Sequence, residues 1–351
     1  MDIQTLRLKI FEMNEDETFY KEYYYARQQE YSLKHFLANL DMNYVYKRHL
    51  IIPEIKNTIP PQFEDSFFFD MHDPHSIVVQ KHNRYSPALL HKHTYFELFY
   101  IFSGSCKQHI SNRDIELHTG DICIVPPGIE HSVTINDDSI GFNIMIRKST
   151  LFNIFSNFLQ NQNILSFFFM NHIYARNAND YIIFHTNKDY EIQRAFLYMY
   201  LEDINKEIYH NQMISHTLML VFGLLIRYYE NSVETPAFAH KTDVQRFALL
   251  QFIQENYTSV TLDDIAARFH YTPEYTSKLI KETTGMTFTD ILQQVRLEKA
   301  QDMLANTNLS VASISESVGY SSPVYFIKLF KNYTDMTPSA YRKLHSTKIK
   351  A

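Results

Sequence analysis

The chain has 351 residues, of which 45% are hydrophobic and 21% are charged, and its formal net charge is −6. Roughly two or three compact units are expected at this length, and the acidic balance excludes binding of nucleic acid through a generally basic surface. Two cysteines are too few for a disulfide framework, and the polar start carries no secretion signal. The longest apolar stretch, residues 218–226, is too short to span a membrane. We therefore expect a cytoplasmic protein.

Residues 1–60 are predicted to form a helical extension. Apolar side chains recur at helical spacing over residues 19–31 and again over residues 33–46. This pattern indicates packing and assigns no role to the extension.

Residues 61–150 are predicted to form a small β-barrel. Short runs of Ile, Val, Phe and Tyr are separated by turn residues, among them Ser103-Gly104, residues 119–121 and residues 126–128. Short strands at this spacing are typical of a β-sandwich or barrel.

Histidines and a glutamate occur within the predicted barrel at regular spacing. The set is His91, His93, Glu97 and Gly104, followed by Gly120, Pro126, Gly128 and His131. It resembles the two-part cupin signature, although Ile135 stands where that family has a closing Asn. Because side chains alternate along a strand, the first two histidines and Glu97 are expected to point into the barrel, where His131 from a neighbouring strand joins them.

Two kinds of ligand suit this cluster. Three imidazoles and one carboxylate could hold a divalent metal such as zinc, iron, nickel or manganese. The same groups, with Tyr95 beside them, could instead form hydrogen bonds to a small polar molecule, and this second interpretation is favoured. A sugar could also stack on or bond to Tyr85, Tyr100 or His109, although most of the tyrosines are expected to serve ordinary packing.

Residues 151–231 are predicted to be a helical segment. Apolar stripes run along residues 188–209 and 213–229, and the second of these helices is apolar nearly all round. Such a helix must be buried, so a homodimer is favoured over packing on the barrel alone. The polar stretch 232–241, which contains Pro236, is predicted to be a linker.

Residues 242–345 are predicted to form an all-α domain in which one pattern occurs twice. Each copy, at residues 261–285 and 310–335, contains a short helix with one apolar stripe, a tight turn and a second helix. The helix predicted over residues 288–306 joins the two copies. The pattern therefore indicates two helix-turn-helix units.

Capping residues define where the second helix of each unit begins. Thr272 and Ser322 can cap the free amides, and the proline after each fits the first helical position. At the turns, Gly319 accepts a positive φ freely, whereas His270 must adopt one under mild strain.

Four lysines share the outward face of these second helices. Lys278, Lys281, Lys328 and Lys331 recur at steps of three residues, which suits a helix lying in the DNA major groove. A single charged stripe is usually a solvated face, but two copies about 34 Å apart could enter successive turns of one groove. Residues 241–351 contain 13 Lys and Arg against 11 Asp and Glu, and residues 1–240 contain 20 against 28, so DNA affinity must come from a local face and from paired protomers.

The C-terminal sequence resembles the AraC-type family of bacterial transcription regulators. The family's signature is met by Arg296, Ala300, Leu304, Val311, Ile314, Val318, Gly319, Tyr320, Tyr325, Phe326, Phe330, Lys331, Pro338, Tyr341 and Arg342. Two positions depart from it: Ser315 stands where Ala is usual, and Asp335 stands where a Gly often ends the last recognition helix.

The resemblance implies that residues early in each recognition helix read bases. These are Pro273, Glu274, Ser277 and Lys278, and then Pro323, Val324, Tyr325 and Lys328. By their chemistry, Glu274 could accept from a cytosine amino group, and Val324 or Tyr325 could pack against a thymine methyl. Lys281 and Lys331, further along, suit phosphates.

The sequence therefore predicts an α+β protein, with an N-terminal cupin-like β-barrel flanked by helices and an all-α C-terminal domain with two helix-turn-helix units. The resemblance implies a sequence-specific transcription regulator, an activator by family habit, without catalytic residues or a required cofactor, since sensor cupins of this family often keep the His and Glu outline without metal. Its expected partners are double-stranded promoter DNA, a small-molecule effector such as a saccharide, a second copy of the chain and RNA polymerase. Two alternatives stay open: a metal-dependent cupin enzyme with an accessory DNA-binding domain, and a regulator that has no effector.

Overall fold

Residues 2–59, 62–69, 77–151, 163–174, 180–235 and 242–345 are described by a computed structural model of the chain. They fall into two units. The first comprises Met1–Phe68, Ile77–Arg147 and Asn179–Ala237, and the second comprises Phe69–Ser76, Lys148–Ala178 and Phe238–Ala351. The predicted limits instead divided the chain into consecutive segments, 1–60, 61–150, 151–231, 232–241 and 242–345.

The α-helices lie mostly at the two ends of the chain. In chain order they are α1 (Ile3–Lys9), α2 (Glu15–Ala26), α3 (Glu30–Ala38), α4 (Met42–Lys47), α5 (Asp65–Phe68), α6 (Ile164–Tyr174), α7 (Tyr190–Asn205), α8 (His210–Leu224), α9 (Thr242–Glu255), α10 (Leu262–Phe269), α11 (Pro273–Thr284), α12 (Phe288–Asn306), α13 (Val311–Ser317), α14 (Pro323–Thr334) and α15 (Pro338–His345). The helix predicted over residues 33–46 is two helices, because the Asp41 carboxylate accepts from the amides of Asn43 at 2.9 Å and Tyr44 at 3.3 Å and so begins α4.

The strands belong to the first unit and form two antiparallel sheets. They are β1 (Ile77–Lys81), β2 (Phe96–Ser103), β3 (Ser105–Ile110), β4 (Arg113–His118), β5 (Asp121–Val125), β6 (His131–Thr134), β7 (Ile140–Ile146) and β8 (Ile182–His185). One sheet has the order β1-β7-β2-β5-β8 and the other has the order β4-β3-β6. The predicted cupin-like region is confirmed, but β8 lies inside the segment that was predicted to be helical.

The register of the strands decides which side chains face the barrel interior. Glu97 lies opposite Met145 and Phe99 lies opposite Asn143 across β2 and β7, while Gln108 lies opposite Val133 across β3 and β6. Directly opposed side chains share a face. The interior is an apolar cluster that contains Phe99, Cys106, Ile110, Leu117, Cys123, Val125, Val133, Tyr181 and Ile183. Polar residues on this face are therefore exceptions within an apolar core.

A buried carboxylate anchors α2 to the barrel. Glu17 is 0% exposed, and its side chain accepts from Arg84 Nε at 2.8 Å and from Lys81 Nζ at 2.8 Å. The same carboxylate accepts from the Asn14 amide at 3.0 Å, which completes a capping box at the start of α2. Because the paired charges are buried, breaking the pair would leave an uncompensated ion inside the protein.

Helices α7 and α8 cover the outer face of the five-stranded sheet. Tyr100 stacks on Phe196 of α7 with ring centroids 3.9 Å apart, and Phe142 contacts Tyr200 of α7 at 5.1 Å. Helix α8 ends in a π-helical turn, Leu225–Tyr229. Both predicted apolar helices are therefore present, and each buries one stripe within its own unit.

The first part of the predicted linker, residues 232–241, pairs with strand β8. Ile183 of β8 and Glu234 exchange two backbone hydrogen bonds of 2.8 and 2.9 Å. Its remaining residues, 236–241, lie outside the described residues.

The second unit is helical and contains the two predicted helix-turn-helix pairs, α10 with α11 and α13 with α14. The predicted joining helix is confirmed as α12. Helix α6 lies against α9 and α11 in this unit, although the sequence had placed it in a dimerisation segment. Its apolar side chains Leu165, Phe168 and Phe169 are fully buried, and this burial explains the position of the helix.

The predicted caps and turns of the second unit are present. Thr272 accepts from the Tyr275 amide at 3.2 Å and Ser322 accepts from the Tyr325 amide at 3.4 Å. At the turns, φ is +59° at His270 and +89° at Gly319, as expected. The α14 end is closed by Asp335 with φ +59°, in the left-handed conformation that Gly285 adopts after α11.

Arg296 is a structural residue of the second unit. Its Nε donates to the Tyr257 carbonyl at 2.7 Å and its Nη2 donates to the Thr258 carbonyl at 2.9 Å, while its guanidinium lies 5.3 Å from the centre of the Tyr320 ring. It thus ties the loop before α10 to the second helix-turn-helix unit.

Among the described residues, every helix is too short or too polar to cross a bilayer.

Candidate functional site

The outward faces of the recognition helices α11 and α14 are exposed along their whole length. Glu274, Ser277, Lys278 and Lys281 on α11 are exposed, and so are Val324, Tyr325, Lys328 and Lys331 on α14, while Pro273 and Pro323 are half-buried. The opposite faces are buried through Thr276 and Ile280 on one helix and Phe326 and Phe330 on the other. The structure therefore presents all the predicted DNA-contacting side chains except the two prolines to solvent.

Charge differs between the two recognition helices. On α11, Lys278 Nζ lies 3.8 Å from a carboxylate oxygen of Glu282, and both side chains are exposed. Helix α14 contains two lysines and no acidic residue. Exposed pairs of this kind contribute little to stability, so these charges are free to meet an anionic partner such as a phosphate.

Sequence reasoning missed two exposed residues on these faces. Tyr275 is 50% exposed on α11 and Ile327 is 37% exposed on α14. Each lies within one turn of a predicted base-reading residue. The match of Tyr275 to Tyr325 at an offset of fifty residues, and the helical spacing of Ile327 from Val324, were the signals that could have identified them.

In the first unit, the predicted His and Glu cluster is assembled around one carboxylate oxygen. Glu97 Oε2 lies 3.3 Å from His93 Nε2 and 3.3 Å from His131 Nε2. Ligand atoms of His91, Glu97 and His131 all lie within 4.8 Å of one another. The four residues that the sequence singled out are thus brought together.

The route by which they meet differs from the prediction. His91 and His93 precede strand β2, and they form isolated bridges with His131 and Phe63 before the chain bends at residues 94–95. A single alternating strand therefore does not align them with Glu97. Instead, the backbone bridge between His91 and His131 holds the His91 imidazole beside the cluster.

Burial controls the protonation of the cluster. It lowers the pKa of His91 to about 4, with a further contribution from the nearby His131, and it also lowers the pKa of His93. Burial raises the pKa of Glu97, but the contacts with His131 and His93 outweigh it and hold that pKa well below its ordinary value. At neutral pH the carboxylate is ionised, and His91 and His93 are uncharged.

This protonation state suits a metal ligand set. Neutral imidazoles and an ionised carboxylate are the donors that zinc and related divalent ions accept. The Nε2 atoms of His93 and His131 both lie 3.3 Å from the Glu97 oxygen, so a metal or a polar ligand bound here would share that carboxylate with them.

A cavity of about 540 Å³ adjoins the cluster, within the first unit. Its walls come from three separate parts of the chain. Asp16, Tyr20 and Arg48 belong to the N-terminal helical region, Glu97 and Asn143 to the barrel, and Asp203 to α7. The N-terminal extension, to which the sequence assigned no role, therefore forms part of the wall of this cavity.

Two amide side chains inside the barrel carry unpaired atoms. Both amide atoms of Gln108 and the Oδ1 of Asn143 are buried without a hydrogen-bond partner among the described residues. Asn143 lines the cavity, and Gln108 is opposite Val133, which also lines it. Sequence reasoning missed both, although a lone amide at an inward position of an apolar strand is the signal that could have identified them.

The predicted aromatic contacts are only partly present at the cavity. Tyr95 lines it and stacks on His93 with ring centroids 4.4 Å apart. The other three lie elsewhere: Tyr85 packs on Tyr24, Tyr100 stacks on Phe196, and His109 contacts Asp114. For these three, ordinary packing and surface pairing replace the predicted sugar contact.

Comparison with known proteins agrees with both domains. Residues 265–344 match the family model described as a helix-turn-helix domain, and residues 76–142 match the one described as a cupin domain. Both domain predictions are thereby confirmed.

Three similar proteins are transcription regulators by name. The HTH-type transcriptional regulator YisR of Bacillus subtilis is 34% identical over 100 residues, which are 28% of this chain and 35% of that protein. The raffinose operon transcriptional regulatory protein RafR of Pediococcus pentosaceus is 30% identical over 160 residues, covering 44% of this chain and 57% of that protein. The HTH-type transcriptional activator RhaR of Mannheimia succiniciproducens is 26% identical over 283 residues, covering 79% and 94%. The chain thus spans about a third of the length of the first of these relatives.

Proposed function

We propose that this chain, which is of the AraC type by its cupin and helix-turn-helix domains, is a sequence-specific transcription regulator whose cupin cavity senses a small polar molecule. The observation that carries this proposal is the pair of recognition helices. Each is capped at the same position and presents an exposed face with two lysines, as a helix that enters the major groove requires. A regulator rather than an enzyme also agrees with the matched relatives.

The charges around the cavity favour a neutral effector. Among the described residues, two cations line it, but Arg48 is paired with Asp16 at 2.8 Å and Lys81 with Glu17 at 2.8 Å. Burial lowers the pKa of His82, another lining residue, to about 4, so it is uncharged at neutral pH. Glu97 stays anionic, and an anionic ligand would meet repulsion without a free cation to offset it.

A saccharide fits this description better than an organic acid or a sugar phosphate. The cavity combines aromatic faces, such as Tyr20 and Tyr95, with amide groups, such as Asn83 and Asn143. Its volume of about 540 Å³ is within the range for small-ligand sites. The name of the raffinose operon regulator among the relatives supports the same class.

A homodimer is the proposed assembly. Met213 and Leu220 lie two turns apart on α8 and are 41% and 57% exposed, and Ile208 before this helix is 84% exposed. These apolar side chains would be covered by the same surface of a second copy in a symmetric pair.

The proposed dimer acts in the cytoplasm. Bound at a promoter, its two protomers would activate transcription by contact with RNA polymerase.

Selection of duplex DNA tests the proposed function. The full-length protein is offered a random double-stranded library at about 150 mM salt, because nonspecific binding dominates at low salt. An enriched motif is expected, and Lys328→Ala should weaken binding to it while the matched control Lys107→Ala, on an exposed strand position of the other unit, should not. Recovery of random sequence would reject the function.

Thermal stability tests the effector. Neutral mono- and oligosaccharides, sugar phosphates and hydroxy acids are compared, and binding at a hundredfold excess over Kd would stabilise the folded protein by about 2.7 kcal/mol. Stabilisation by a neutral saccharide is the expected result. Stabilisation by the anionic compounds alone would contradict the charge argument, and no stabilisation by any compound would favour a regulator without an effector.

A further inference from the structure

The two recognition helices are an internal repeat with an offset of fifty residues. Three exposed side chains are identical at matched positions: Tyr275 and Tyr325, Lys278 and Lys328, and Lys281 and Lys331. The leading prolines, Pro273 and Pro323, also match. Equivalent positions therefore have equivalent surroundings, and the two helices can be compared position by position.

Two outward positions in the first two turns differ between the helices. Glu274 of α11 corresponds to Val324 of α14, and Ser277 corresponds to Ile327. All four side chains are exposed, Val324 by 79% and Ile327 by 37%. Packing within the unit therefore does not explain Val324, and it leaves more than a third of Ile327 exposed on the same face.

These two positions lie at the end of the helix that reads bases. The N-terminal residues of a recognition helix contact base edges in the major groove, whereas later residues meet phosphates. Val324 and Ile327 are one turn apart on the same face as Lys328 and Lys331. The first turn of the α14 face is thus apolar and its later part is cationic.

The chemistry of the two pairs selects different bases. A carboxylate such as Glu274 accepts a hydrogen bond from the cytosine amino group, and Ser277 can bond to several bases. Val324 and Ile327 offer no hydrogen bond, but they can cover the C5 methyl group of thymine, which is the apolar group of the major groove. A cytosine or guanine edge against these side chains would lose its hydrogen bonds to water without replacement.

We propose that the two helix-turn-helix units read unlike half-sites, with α11 recognising a cytosine through Glu274 and α14 recognising thymine methyl groups through Val324 and Ile327. This inference rests on the proposed function and specifies the operator of that function. The shared tyrosine and lysines anchor both helices in the same way, and the two differing positions give each half of the operator its own sequence.

An exchange of the two positions tests this division. The motif enriched from a random duplex library by the full-length protein is compared with that enriched by the double variant V324E/I327S, which gives α14 the outward residues of α11. The thymines of one half-site should be replaced by the bases of the other, so that the two halves become alike. The reciprocal variant E274V/S277I should make both halves rich in thymine.

Modified DNA tests the same contact without changing the protein. Replacing thymine by deoxyuridine removes only the C5 methyl group, and each methyl buried against Val324 or Ile327 should weaken binding by roughly fourfold. Deoxyuridine in the other half-site should have little effect, and the double variant should be insensitive in both halves.

The outcomes separate this inference from the function on which it rests. Failure of the wild-type protein to enrich any motif would reject the DNA-binding function itself. An enriched motif that is unchanged by the exchange, or whose thymines tolerate deoxyuridine without loss, would overturn the inference and leave the function standing. Circular dichroism of both variants confirms folding, and the deoxyuridine measurement decides the question even where a variant is unstable.

Discussion

Replacing Gly319 with alanine should destabilise the second unit far more than its half-buried position in a turn would indicate. Its φ is +89°, a conformation that an L-residue adopts at a cost of about 1 kcal/mol or more. An added Cβ would also lie 2.3 Å from the Thr258 carbonyl oxygen and 2.9 Å from the Arg296 guanidinium. Neither group can withdraw easily, because Arg296 donates to that same carbonyl at 2.9 Å.

The expected loss combines two terms. Overpacking costs about 1–3 kcal/mol, so together with the backbone term Gly319→Ala should lower the free energy of unfolding by about 2–4 kcal/mol. This corresponds to a fall in Tm of roughly 8–16 °C for a unit of this size. Differential scanning calorimetry of the full-length protein measures it, and added operator DNA identifies the transition of the second unit by raising its Tm.

A matched glycine isolates the steric term. Gly128 has a similar φ of +84°, but an added Cβ there would meet no atom within 4 Å. Gly128→Ala should therefore show the backbone cost alone, about 1 kcal/mol, in the first unit. If Gly319→Ala costs no more than Gly128→Ala, the close approach to Thr258 does not constrain this turn and the reasoning is wrong.

Five further substitutions test the candidate sites and the buried polar groups of the first unit. Lys331→Ala should lower affinity for all duplexes and reduce the slope of log affinity against log salt by about 0.9, whereas Lys328→Ala should flatten the sequence preference at one base pair. Anisotropy titrations at several salt concentrations distinguish the two variants. If both variants lose specific and nonspecific binding equally, the assignment of Lys328 to a base and Lys331 to a phosphate is wrong. His93→Ala should alter the response to effector and leave effector-free DNA affinity nearly unchanged, which titrations with and without saccharide measure. Glu17→Gln should cost about 3–5 kcal/mol. Burial raises the pKa of Glu17, but its hydrogen bonds to Arg84 and Lys81 outweigh burial, and the net pKa is lowered. The stability that Glu17 contributes is therefore present above its unfolded pKa and is lost as the pH falls through its folded pKa. Urea unfolding between pH 3 and 7 should show this loss of stability in acid for the wild type and not for the variant. Gln108→Met should stabilise the first unit, because an unpaired buried amide costs about 1–3 kcal/mol, and a lower Tm would show that the amide has a partner.

Local signals made the second unit predictable. The start of α11 depends on a hydroxyl side chain and a proline that are adjacent in sequence, so Thr272 and Pro273 identify it without knowledge of the rest of the chain. The turn at Gly319 follows from the conformational freedom of glycine in the same way. What sequence could not show is that Thr258, some sixty residues earlier, closes over that glycine.

Contacts between segments that are distant in sequence explain why strand β8, the position of helix α6 and the cavity were not predicted. Strand β8 is four residues long and is stabilised by pairing with β5, so its sequence lacks the length that separates a strand from a helix. Helix α6 is apolar on most sides, which indicates burial but not the surface that buries it. The cavity has the same limitation, because Asp16 and Asp203 meet at its walls from positions nearly two hundred residues apart.

The unpaired groups of the barrel bear on how an effector could change DNA binding. A ligand shifts an equilibrium only by the difference in its binding free energy between two states, and a coupling of about 1–3 kcal/mol is typical. One buried polar group that is unpaired in one state and bonded to ligand in the other is worth about 1–3 kcal/mol, so a single contact with Asn143, whose Oδ1 is buried at the cavity wall, would suffice. A deoxy analogue of the effector that still fills the cavity but lacks the bonding hydroxyl should therefore bind without changing DNA affinity.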